Sequence, residues 1–191
     1  MRLERILITV LLAAVTACTK AAPAAPDLLR TSTIKDIMDS MVDPSGDFMF
    51  DSVVEIADEK GITKKAPHTD DEWEEVRHHA IILLEAPNLL VMEGRKVAQP
   101  HERATNPQVE LQPEEIQKLI DGDRASFGRR ARRLQNAAAM ALKAIEAKDT
   151  DALFKGIESI DKACENCHLH YWYPNDKRAQ EAAKEEGIVD D

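Results

Sequence analysis

The chain has 191 residues, enough for one domain with a substantial core. Charged residues make up 31% and apolar ones 43%, the balance of a water-soluble globular fold. A formal charge of -10 excludes nucleic-acid binding, which rests on neutralising phosphates with cations, and suits at most a basic partner.

Residues 1–5, Met-Arg-Leu-Glu-Arg, make a short basic stretch, and residues 6–17 then run uncharged, broken only by Thr9 and Thr16. Twelve residues are too few to cross a bilayer as a helix and suit the apolar core of an export signal. The run ends in Val15-Thr16-Ala17-Cys18, which resembles the bacterial lipoprotein signal. That resemblance implies cleavage after residue 17, a lipid on Cys18, and a domain facing the periplasm of a bacterial cell envelope, attached to membrane by the lipid alone. Thr19 stands where Asp would mark inner-membrane retention, so the same rule implies the outer membrane. The rival reading is an ordinary signal peptide with a chance cysteine at its cleavage site. Residues 18–26, rich in Ala and Pro, read as an extended tether.

The domain proper, 27–174, shows no strand alternation and no hairpin signal. A first helical pattern covers about 27–42, with Ile34, Ile37, Met38, Met41 and Val42 on one face. Asp43-Pro44 reads as an N-cap and first-turn pair that restarts helix through Phe48, Val53 and Ile56, to an end at Lys60-Gly61. A second pattern opens at the capping box Thr69-Asp70-Asp71-Glu72 and runs through Trp73, Val76, Ala80, Leu83 and Leu84, with a kink or break at Pro87 and a stop at Gly94. Residues 95–112, with three prolines in or just beyond them, read as a loop. A third pattern spans about 113–148, weakened at Gly122. The fourth is capped by Asp149 or Thr150, carries Leu153, Ile157, Ile160, Cys164, Cys167 and Tyr171 inward, and is ended by Pro174. Residues 175–191 read as a charged tail, either a short surface helix or disorder. Four amphipathic helices predict an all-α antiparallel four-helix bundle.

With Cys18 assigned to the anchor, two cysteines remain, in Cys164-Glu165-Asn166-Cys167-His168. This is the C-x-x-C-H pattern of c-type haem attachment. Thiols at i and i+3 stand one above the other on a helix face and reach two vinyl groups of one porphyrin, with the next residue's imidazole beneath the iron. One covalent haem c on Cys164 and Cys167, with His168 as proximal iron ligand, is the expectation. A buried porphyrin also supplies bulk that a core with 4% aromatic residues lacks. Zinc would have to use Cys164, Cys167, His168 and His170, which cannot converge tetrahedrally from one intact helix. A thiol–disulfide oxidoreductase would place C-x-x-C at a helix start after a strand. No acid, base or nucleophile constellation reads from the sequence, so no enzymatic activity is expected.

A haem motif on the last helix of a four-helix bundle resembles the cytochrome c′ family, the class II c-type cytochromes. A closer likeness is to a lipoprotein subgroup carrying Val42-Asp43-Pro44, Thr69-Asp70-Asp71-Glu72-Trp73 and Tyr171-Trp172-Tyr173-Pro174. In that family the distal side of the haem faces the first helix. The resemblance implies Met38 as distal ligand, with Met41 as the alternative. A histidine such as His78 or His79, or no sixth ligand, are further options. His/Met ligation implies an electron carrier serving redox partner proteins; a vacant position implies a protein that binds NO or CO. The family also pairs into homodimers through its first two helices, although no apolar seam of that kind reads here. Arg129, Arg130, Arg132 and Arg133 read as a solvated basic face, one member of which is available to a haem propionate. Tyr171, Trp172 and Tyr173 are expected at the haem edge, and His68, His101 and His170 at the surface.

Overall fold

The computed structural model describes residues 28–59 and 61–188. The signal segment, Cys18 and the tether lie outside the described residues. Helix dominates the rest, joined by one small antiparallel sheet. Among the described residues no helix is long and apolar enough to cross a membrane.

Helix α1 (Ile34–Ile37) begins at a capping box: Thr33 Oγ1 accepts from Asp36 N, and Asp36 Oδ2 accepts from Thr33 N. The helix passes into a π-helical turn (Met38–Val42) and then into α2 (Asp43–Ser52). Asp43 is therefore not an N-cap. Its backbone is helical, and its N–H donates to Met38 O five residues back. Pro44 gives the reason. A proline inside a helix lacks the N–H and crowds the carbonyl four residues earlier, here Ser40, and widening the preceding turn makes room for its ring.

The expected continuation of helix through Val53 and Ile56 is overturned. The chain turns extended at Val53 and forms a hairpin, β1 (Val54–Asp58) and β2 (Gly61–Lys65), in register from Val54 opposite Lys65 to Asp58 opposite Gly61. β-branched residues favour this geometry, and Gly61, at φ 122°, takes a conformation that other residues rarely adopt. Every residue of β2 is exposed, so no apolar alternation betrayed the strand.

Helix α3 (Asp70–Leu90) starts at the expected capping box of Thr69 and Glu72 and continues one turn past Pro87. Residues 91–112 have no regular structure but are firmly tied. Lys96 O and Val97 O accept from the N–H groups of Ile34 (2.8 Å) and Lys35 (2.9 Å), which lie at the start of α1 and have no partner within it. Arg95, buried, donates to Leu89 O (2.6 Å) and to Ser32 O. Leu111 N donates to Trp172 O at 2.8 Å, fixing the far end of the segment.

The single third helix expected from 113 to 148 is two, α4 (Pro113–Gly122) and α5 (Arg124–Glu146). Asp123 leaves helical geometry and caps α5 by accepting from Ser126 N at 2.8 Å. Asp149 caps α6 (Thr150–Tyr171) in the same way, through Ala152 N. The tail is helical over α7 (Lys177–Glu185), and it buries Ala183.

α5 packs against both α3 and α6, α2 and α1 pack against α3, and α7 leans on α6. One apolar cluster runs through all of these interfaces except the last. Near the α5–α6 connection the two helices meet closely. A Cβ added to Gly156 would lie 2.8 Å from Ala141 Cα, beside the buried Ala138 and Ala144. Small residues thus draw the pair together at one end. The opposite end carries larger side chains and opens into a cavity.

Candidate functional site

The inward stripe of α6 starts with Leu153, Ile157 and Ile160, all buried. Continued at helical spacing it reaches Cys164, Cys167 and Tyr171, with His168 beside them. Cys164, Cys167, His168 and Tyr171 line a single cavity that is partly open to solvent. Its other walls are Ile34 of α1 and Met38 of the π turn, Ile116 and Ile120 of α4, and Phe127, Arg130 and Leu134 of α5. The wall is hydrocarbon apart from two thiols, an imidazole, a thioether, a guanidinium, a phenol and an indole.

Burial governs the protonation of these groups. It pushes the Cys164 thiol up to about 12, with Cys167 and Asp161 adding to the effect. Burial raises Cys167 to about 11, opposed by the nearby Arg130 charge. Both are free thiols held protonated, the reverse of the lowered values that make a reactive thiolate. Burial lowers His168, against the pull of the Asp43 and Glu165 carboxylates, and so favours neutral imidazole. Asp43, exposed as a residue, is raised by partial desolvation of its carboxyl, while the His168 charge acts in the opposite direction.

The end of α6 is locked just beyond His168. Its carbonyl accepts from Trp172 N (2.7 Å) and Tyr173 N (3.0 Å). The Tyr173 ring lies 6.0 Å from the imidazole, and its hydroxyl donates to Glu165 at 2.7 Å.

Of the two methionines expected on the haem side, Met38 lines the cavity; Met41 packs against the core and is not among the cavity-lining residues. His78 and His79 are elsewhere. His78 is exposed beside Glu74, and His79 stacks on Phe48 with ring centroids 4.0 Å apart, its Nδ1 3.2 Å from Ser45 Oγ. His68 and His101 are exposed, whereas His170 is half-buried with its ring against Tyr171 at 4.5 Å. Tyr171 and Trp172 line the cavity.

The basic run corrects one expectation. Arg129 and Arg132 are exposed, but Arg130 is only 1% exposed and lies in the cavity wall. A sequence signal for this existed: Arg130 stands three residues after Phe127 and four before Leu134, on the apolar stripe of its helix. Among the described residues no three His, Cys, Asp or Glu side chains converge as a metal-ligand set. No protein-family model, curated protein or solved structure matches the chain.

Proposed function

We propose that this chain is a monohaem c-type cytochrome of the cytochrome c′ kind, an electron carrier rather than an enzyme. One haem c would be bound to Cys164 and Cys167, with His168 and Met38 as the residues that would ligate its iron. The observation that carries this reading is the shared cavity: Met38 and the C-x-x-C-H residues, from opposite ends of the chain, line the same apolar space.

The donor chemistry fits the group. Thiols one helical turn apart suit two thioether bonds, and thiols held protonated do not suit disulfide exchange. A neutral imidazole is the form that ligates iron, and burial favours that form at His168. Haem, when bound, supplies reversible one-electron exchange at its iron. The chain's own work is to hold and to shield. Cys164 and Cys167 fix the ring's position, the Tyr173–Glu165 bridge steadies the turn carrying His168, and Ile34, Ile116, Ile120 and Phe127 keep water out. α1 with α2, α3, α5 and α6 would be the four helices of the antiparallel bundle, with α4 and the hairpin as additions. The lipoprotein-like signal supports anchoring through Cys18 at the periplasmic face of the outer membrane, where an acidic surface favours a basic redox partner.

The test is the optical spectrum of the reduced, matured protein before and after carbon monoxide. Sharp low-spin bands indifferent to CO are expected from His168 and Met38. Broad bands that shift with CO would mean an open iron and would move the assignment to NO or CO binding. A protein of unmodified polypeptide mass, without haem absorbance, would end the cytochrome reading altogether.

A further inference from the structure

We propose that Arg130 sets the reduction potential of the haem in this cavity, holding it above the value a neutral side chain would give. This inference rests on the cytochrome reading above and adds a determinant that the attachment motif does not contain.

Arg130 is a large side chain that is almost wholly buried. It comes from α5, the helix facing the attachment helix, and shares the cavity wall with Phe127, Cys167 and Tyr171. Its position is fixed from two sides. Nη1 donates to Ser126 Oγ at 3.2 Å, and the guanidinium carbon lies 5.9 Å from the centroid of the Tyr171 ring. A guanidinium keeps its charge at any pH the protein meets. Oxidation of the iron adds one positive charge to the cavity. A fixed cation in the wall opposes that addition, more strongly across an apolar wall than in water. The ferrous state gains by comparison, so the potential rises. The carboxylates of Asp43 and Glu165, near His168, carry the opposite charge and act in the opposite sense. Asp43 is exposed and Glu165 half-buried, so solvent weakens their effect more than that of Arg130.

The experiment is a spectroelectrochemical titration of the haem-loaded protein and of Arg130→Met, Arg130→Gln and Arg130→Lys. At the wild-type midpoint, each neutral variant should show a ferrous-to-ferric ratio lower by about tenfold, equivalent to about 59 mV for one electron. Arg130→Lys, which keeps the charge, should stay close to wild type, and the axial-ligand bands should be unchanged in all three. Neutral variants with the wild-type midpoint would overturn the proposal while leaving the cytochrome reading intact. Neutral variants that fail to hold haem while Arg130→Lys matures would make Arg130 a structural residue and equally overturn it. Absence of covalent haem from the wild-type protein would remove both readings together.

Discussion

The hydroxyl of Tyr173 donates a 2.7 Å hydrogen bond to Glu165, bridging from beyond the end of α6 back to the second residue of the C-x-x-C-H motif. Burial and the Glu165 bond both hold the phenol protonated. A hydrogen bond to a charged partner contributes about 1.5–3 kcal/mol, and half-burial here places the loss in Tyr173→Phe at about 1–2 kcal/mol. Urea unfolding of the two proteins checks this. Equal midpoints would mean the bridge contributes nothing.

Met38 and Met41 separate cleanly by substitution. On the proposed ligation, Met38→Ala opens the iron, so CO shifts the spectrum of the reduced variant but not that of wild type. Met41→Ala should keep the wild-type spectrum. The reverse pattern would transfer the ligand role to Met41.

Arg95 ties the end of α3 to the residues before α1 through Leu89 O and Ser32 O, and it also reaches Met92 Sδ at 3.1 Å. Arg95→Met keeps much of the packing and removes the charged bonds to the Leu89 and Ser32 carbonyls. The expected cost is about 2–4 kcal/mol. Hydrogen exchange should localise the loosening to α1 and residues 91–99; uniform loss of protection would count against a local staple.

Gly156→Ala introduces a methyl group into backbone of α5, because the new Cβ would lie 2.8 Å from Ala141 Cα. Overpacking of this kind costs about 1–3 kcal/mol, despite the better helix propensity of alanine. Thermal unfolding reads it directly, and a variant of raised melting temperature would show that the helices separate without cost.

Glu72 accepts from the backbone N–H of His68 (2.7 Å) and Thr69 (2.8 Å), which hold its carboxyl below the ordinary value, His68 contributing most. A carboxyl lowered by folding stabilises fully above its unfolded value, about pH 4.5, and loses that contribution as pH falls through the folded value. The melting temperature of Glu72→Gln should lie below wild type at neutral pH, with the difference shrinking below about pH 4.5. A difference constant down to about pH 3 would show that charge is not what the cap uses.

Sequence legibility followed burial. The Thr69–Glu72 box, the Asp149 cap and the stripe of α6 were readable because local chemistry and apolar spacing agreed there. The hairpin was not, because Ile56 and Ile62 are 52% and 71% exposed and neither face of the sheet carries a core signal. The π turn escaped for another reason. Asp43-Pro44 resembles a helix start, and only the accommodation of the proline ring by the preceding turn makes it an interior position. Arg130 was lost among four arginines whose composition suggests solvent, although its spacing places it inward. Residues 91–112 showed no periodicity, since their order comes from hydrogen bonds to α1 and to Trp172 rather than from a repeating face.

The cavity brings together the two ends of the described chain, Met38 near its start and Cys164, Cys167 and His168 near its close. In the proposed cytochrome, a bond from Met38 to an iron already tethered to α6 would join those ends like a cross-link. Closing so long a loop removes much of the freedom of the unfolded chain, and the stabilisation grows with the logarithm of loop length. Displacing Met38 would then do more than open the iron. It would return that freedom to the N-terminal segment, so a ligand event at the metal would register as fraying of the first helix.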